Sequence, residues 1–202
     1  MNTIDKARQF LIKQDITSFE IDIPSLKFEQ KVIFDTCENY AKTTGLPVSG
    51  FSVITDGCTF KRGELNLILT RHKSTPMLHR SIRATTDNRL NWTLAHEVGH
   101  VVLGHTTDGV EQERQADVFA GELLMPELVI LELQRRLGRP LQIGEVSRLF
   151  GVSQSAAAIR LMSIQRRSFF SAYLKTELMK KYEKLINDYA ENKGKVCQSI
   201  IV

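Results

Sequence analysis

The chain has 202 residues, 42% apolar and 25% charged, which excludes collagen-like, low-complexity and wholly disordered classes and allows one core or two small ones. No stretch reaches the roughly 20 uninterrupted apolar residues of a membrane-spanning helix, and the opening MNTIDKARQFLIKQD scatters charges where a secretory signal would carry an apolar block; the expectation is a cytoplasmic protein with no membrane association. The net charge of +4 is uneven: residues 1–126 hold 14 basic against 16 acidic side chains, and residues 127–202 hold 13 against 7.

Residues 27–44 set Phe28, Val32, Phe34 and Ala41 among charges at near-helical spacing and stop at Thr44-Gly45-Leu46-Pro47, which predicts a helix with a Gly stop and a following Pro. Phe51 to Thr55, a turn at Asp56-Gly57, and Thr59 to Thr70 with Leu65-Asn66-Leu67-Ile68-Leu69 inside it read as two or three short strands. Residues 71–90, polar and basic, read as a loop, with His72 and His79 as surface residues.

From Asn91 to Leu103 apolar residues cover much of a helix that Gly104 ends, so this helix is mostly buried. A second helix runs from about Val110 to Met125, with Ala116, Phe119, Ala120, Leu123 and Leu124 as its apolar stripe and Pro126 closing it. Residues 143–150, the turn Gly151-Val152-Ser153 and residues 154–164 read as helix, turn, helix, with Val146, Phe150, Val152, Ala157 and Leu161 inside. Phe170, Leu174, Leu178, Tyr182, Leu185 and Tyr189 then mark an amphipathic C-terminal helix.

Cys37, Cys58 and Cys197 are widely and irregularly spaced, which supports neither a disulfide framework nor a CxxC element. A metal would therefore be held by His and carboxylate. The first of the two central helices carries His96-Glu97-Val98-Gly99-His100. Imidazoles four positions apart leave one helix face and can share an ion, with Glu97 beside them. Zn2+ on such a pair acidifies water and polarises a carbonyl, and the adjacent carboxylate can take the proton. Composition alone gives about 0.01 occurrences of this motif in a chain with 5 His.

A two-His site wants a third ligand from elsewhere, and a Glu on the next helix completes a His2Glu set. Glu113 is assigned that place, and Asp117, one turn on, is assigned the outer N–H of a ligand imidazole. Glu111 is the rival, but no carboxylate follows it four residues later. His105 comes nine residues after His96, where a metzincin third His comes ten after, and Gly104 is out of position for that pattern. It reads as a helix-end residue at the site's edge, with substrate binding open.

At these residues the sequence resembles the ImmA/IrrE family of metallopeptidases. Asn91 to His100, NWTLAHEVGH, followed by Leu103-Gly104-His105, is similar to its first signature, and Glu113 to Pro126, ERQADVFAGELLMP, to its second. The resemblance implies one Zn2+ on His96, His100 and Glu113, with Glu97 as general base. It also implies a zinc endopeptidase whose substrate is a cognate helix-turn-helix transcriptional repressor, cleavage relieving repression in mobile elements and prophages or in a stress response. A helix-turn-helix-like element after the peptidase matches residues 141–164. Its second helix offers few base-reading side chains beyond Gln154 and Arg160, so direct DNA contact is the lesser expectation.

The resulting fold class is α+β, a small mixed sheet packed on zincin-like active-site helices and followed by a helical part. The expected divisions are an N-terminal segment 1–27, a peptidase core 28–126, a helix-turn-helix-like region 127–167, and a C-terminal helix and tail 168–202. The rival function is a DNA-binding or anti-repressor protein that acts by binding, its zinc structural or vestigial. That reading draws on the basic C-terminal part, of which a solvated helix face is the commoner explanation.

Overall fold

A computed structural model describes residues 1–45, 56–71, 88–107, 109–164 and 172–198. The fold is α+β, with helices flanking a small mixed sheet, and the chain divides into two compact units: Asp22–Ala120, and Met1–Ile21 together with Gly121–Val202. The expected strand over 51–55 and most of the expected loop, with His72 and His79, lie outside the described residues. No helix among the described residues is long and apolar enough to cross a membrane.

In the unit Asp22–Ala120, β1 (Lys31–Thr36) runs parallel to β3 (Leu65–Thr70), and β2 (Gly57–Arg62) runs antiparallel to β3, giving the order β1-β3-β2. The central strand reads LNLILT, and its last three residues are buried, as befits a strand with neighbours on both edges. The predicted helix over 27–44 is half strand: only α2 (Cys37–Thr44) is helical. Val32 and Phe34 fit helical spacing with their neighbours, but the Lys31-Val32-Ile33-Phe34 run pairs with β3. Thr36 then accepts the Asn39 N–H through its hydroxyl and starts the helix. Cys37 and Ala41 of α2 pack with Leu69 of β3.

α3 (Asn88–Leu103) packs on β2 and β3, and its buried residues include Leu94, Ala95, Val98 and Val101. α4 (Val110–Leu124) follows. A glycine inside a helix costs about 1 kcal/mol relative to alanine, so Gly99 calls for a reason. A Cβ there would lie 3.2 Å from both the Cα and the carbonyl oxygen of Ala116 and 3.3 Å from the Phe119 Cβ. Two backbones meet at this point.

In the other unit, α1 (Thr3–Ile12) and α8 (Ala172–Gln198) pack together, as do α5 (Glu127–Leu137) with α8 and α6 (Ile143–Phe150) with α7 (Gln154–Ile164). Phe19 meets Phe150 and Tyr189 edge-on and stacks on Tyr182. Gly151 adopts φ +62° in the turn between α6 and α7, and Val146, Phe150, Val152 and Ala157 are buried there. Leu161 is only half-buried, and Ile164 takes its place inside. In α8 the buried seam is Leu178, Tyr182 and Ile186, with Leu185 displaced to a half-buried position. Helices α1 and α5 have no counterpart in the sequence reading.

Arg160 is buried, which removes one of the two possible base readers. Its Nε donates to the Met125 carbonyl at 2.8 Å and its guanidinium pairs with Glu122. Arg8 of α1 pairs with the same carboxylate at 2.7 Å and lies 3.8 Å from Glu127. All four groups are nearly inaccessible, so a carboxylate shared by two guanidinium groups ties α1, α7 and the end of α4 together.

Glu122→Ala should be the most damaging single change in this unit. It leaves two buried guanidinium groups without their shared carboxylate, and a loss of about 3–5 kcal/mol is expected in urea unfolding. Gly99→Ala should cost less. The methyl group has to displace backbone, at about 1–3 kcal/mol, and the gain in helix propensity of about 1 kcal/mol offsets part of that. The urea midpoint should fall for both, with Glu122→Ala lower.

Candidate metal centre

One face of α3 presents His96 and His100, one turn apart, and the first turns of α4 present Glu113 and Asp117. His96 Nε2 lies 3.2 Å from Glu113 Oε2, His100 Nε2 lies 3.5 Å from Glu113 Oε1, and the two Nε2 atoms are 3.1 Å apart. Donors at the corners of a tetrahedron around an ion bonded at about 2.0–2.1 Å stand roughly 3.3 Å from one another. His96, His100 and Glu113 could hold such an ion, and among the described residues no other group of three or more His, Cys, Asp or Glu could. The imidazoles are largely buried, while Glu113 and Asp117 are more than half exposed, so the centre opens on its carboxylate side.

The outer nitrogens are engaged. His96 Nδ1 lies 2.9 Å from Asp117 Oδ1. A carboxylate only accepts, so this contact holds the proton on Nδ1 and leaves Nε2 bare in the neutral ring, as a ligand nitrogen must be. His100 Nδ1 lies 3.1 Å from His105 Nδ1, and His105 Nε2 lies 3.2 Å from Gln115 Oε1. Glu111 is turned to Arg114, whose Nε and Nη2 donate to its two oxygens at 2.8 and 2.6 Å. Hydrogen bonds from Arg114 and Gln115 hold its carboxyl down to about 2.

Glu97 is buried beside the imidazoles, and Thr59 of β2 donates its hydroxyl to Glu97 Oε2 at 2.7 Å. Gly57 packs against Glu97 and Thr93. A Cβ on it would come within 2.5 Å of Thr93 Cγ2 and 3.1 Å of Glu97 Oε1. Thr59 and Gln115 were not singled out in the sequence. Thr59 stands 38 positions from Glu97, on a strand whose register to α3 no local pattern encodes.

The family model described as the IrrE N-terminal-like domain, Peptidase_M78, matches residues 62–162. The chain belongs to this family. Among curated proteins no match is found. The matched segment runs from the end of β2 through α7 and contains all of α3 and α4. Membership gives the chain a metallopeptidase-family role and implies a metal, and the cluster of His96, His100 and Glu113 is where the described residues could accommodate one.

The electrostatics of His96 set a pH dependence. Burial pulls its pKa down, but the hydrogen bond to Asp117 and the charges of Glu97, Asp117 and Glu113 outweigh it, so the net shift is upward from 6.5. In the metal-free chain this protonated ring contributes stability at low pH that is lost as pH rises through the raised pKa. Metal binding runs the other way, because the proton must leave. Zn2+ affinity should therefore weaken by about tenfold per pH unit below the His96 pKa, with onset above pH 6.5. Removing the Asp117 charge with Asp117→Asn should move that onset to lower pH. Competition titrations with a chromophoric chelator from pH 8 to pH 5.5 read both, and a flat profile counts against His96 as a ligand.

Proposed function

We propose that the chain is a zinc endopeptidase that cleaves a helix-turn-helix transcriptional repressor, with His96, His100 and Glu113 as ligands and Glu97 as general base. The observation that carries the chemistry is the convergence of two imidazoles and one carboxylate at tetrahedral spacing, with a buried second carboxylate next to them. The repressor as substrate rests on the resemblance of the two signatures, 91–105 and 113–126, and on membership of the family.

Zinc held there supplies Lewis acidity, acidifying water and polarising a peptide carbonyl. The residues do the rest. Thr59 anchors Glu97 through Oε2, which fixes the plane of the carboxylate. Glu97 takes a proton from the attacking water and returns it to the amide nitrogen as the C–N bond breaks, so that water adds across the bond as a carboxyl and an amine. Asp117 keeps the His96 proton on Nδ1 throughout.

The DNA-binding rival loses support at α7. Of its two base-reading candidates Arg160 is buried against Glu122 and Met125, and Gln154 alone is exposed.

The decisive experiment mixes the purified chain with candidate helix-turn-helix repressors, with Zn2+ and then with chelator, and follows intact masses. Two fragments from one bond are expected with Zn2+. Chelator should abolish them, and Glu97→Gln should lower the rate by at least about 100-fold, the lower end of what a general base contributes, while retaining bound zinc. Cleavage at full rate by Glu97→Gln would overturn the mechanism, and an intact partner under every condition would overturn the substrate.

A further inference from the structure

The end of α3 folds His105 back onto the helix it has just left. Gly104, at φ +74°, leaves the helix in the left-handed conformation; its N–H donates to the Val101 carbonyl at 3.2 Å and the His105 N–H to the His100 carbonyl at 3.0 Å. This pair of bonds is a Schellman motif, which sets the second residue past the helix against the residue five positions before it. Here those residues are His105 and His100. Their rings meet edge to face with centroids 5.0 Å apart, and their Nδ1 atoms face each other at 3.1 Å.

Proton positions in that contact follow from the residues behind it. Gln115 Nε2 donates to Glu111 Oε1 at 2.8 Å, and because a carboxylate only accepts, the Gln115 amide has to present its oxygen on the other side. That oxygen lies 3.2 Å from His105 Nε2, which must then carry the proton. A neutral His105 with Nε2–H has a bare Nδ1, which accepts from His100 Nδ1–H. His100 is left with a bare Nε2 directed at Glu113 and His96.

We propose that His105 and Gln115 are positioning residues for His100. They hold its ring and its Nδ1–H tautomer, so that Nε2 is presented to the metal of the centre. The assignment rests on the metal-site reading above. It gives the two imidazoles unlike outer partners, a carboxylate for His96 and a neutral imidazole held by an amide for His100.

The test is Zn2+ affinity by chelator competition in wild type, His105→Leu, His105→Gln, Gln115→Leu and Glu113→Ala, together with long-range proton–nitrogen NMR of the imidazoles in the metal-free chains. His105→Leu fills the volume but accepts nothing, and a loss of 10- to 100-fold is expected, the usual effect of removing an outer partner of a ligand. His105→Gln, whose carbonyl can accept from His100 Nδ1–H, should recover most of that loss, and Gln115→Leu should lose affinity to a smaller degree. The wild-type spectrum should show His100 protonated on Nδ1 and His105 on Nε2. Wild-type affinity in His105→Leu, equal losses in His105→Leu and His105→Gln, or the opposite tautomer in wild type would overturn this assignment alone. A wild-type chain that binds no Zn2+, or Glu113→Ala at full affinity, would overturn the metal-site reading beneath it and the assignment with it.

Discussion

Where α3 meets α4, Gly99 lies against Ala116 with its ideal Cβ position 3.2 Å from backbone atoms, and that closeness sets how far the flanking side chains must reach. His100 follows Gly99, and His96 and Glu97 precede it within a turn. Ala116 sits between Gln115 and Asp117, one turn after Glu113. A bulkier pair at the contact would separate the helix axes within the usual 8–10 Å range, and imidazole and carboxylate atoms now 3.2–3.5 Å apart would no longer share a point. Glycine in the interior of α3 weakens that helix by about 1 kcal/mol, and the cost is offset by a close approach that any Cβ would push apart.

The acids of α4 show how the partner decides the use of a carboxylate. Glu111 sits in a bidentate surface pair with Arg114, an arrangement that contributes little to stability. Glu122, at the other end of the helix, is buried and shared by Arg8 and Arg160, so its charge is satisfied and its role is cohesion. Glu113 and Asp117 lie between these extremes. Among the described residues their ion-pair partners are imidazoles and not guanidinium groups, and they remain half open to solvent. A carboxylate whose company is neutral imidazole keeps its charge available for a cation.

The clustering of His96, His100 and Glu113 was legible because it depends on local order. Helical spacing puts His96 and His100 on one face, and Glu113 and Asp117 are likewise one turn apart on the next helix. Over residues 31–36 Val32 follows Phe28 by four positions and Ala41 follows Phe34 by seven, which fits a helix, while the alternation of Val32 and Phe34 fits a strand, and the pairing with β3 that decides is a long-range fact. Arg160 was one of two possible base readers on α7, and its burial depends on Glu122, 38 positions earlier, whose carboxylate Arg8 also shares. Thr59 reaches Glu97 only through the packing of β2 on α3. His105 carried a partial signal: an offset of nine residues argues against a ligand in the helical series, while Leu-Gly-His at a helix end is what a Schellman turn requires. Spacing alone could not give the ring contact, because it needs Gln115 from α4 behind it.

The charges around the centre also tie the fold to its occupant. Glu97, Glu113 and Asp117 place three carboxylates around two imidazoles, and bare Nε2 atoms 3.1 Å apart add lone pairs that repel each other. The hydrogen bond to Asp117 and the charges of the three carboxylates raise the His96 pKa despite burial, but one positive charge on the ring offsets only one of three negative ones. A divalent ion offsets two and bonds both nitrogens. Because the unfolded chain cannot assemble the site, such an ion would stabilise the native state by about 2.7 kcal/mol at a free concentration one hundred times its dissociation constant. The two occupants respond oppositely to pH: the proton's contribution fades as pH rises through the His96 pKa, and the ion's grows over the same interval. Above its raised pKa His96 no longer supplies that positive charge, and over that range a cation held at the centre would contribute most to the helix pair.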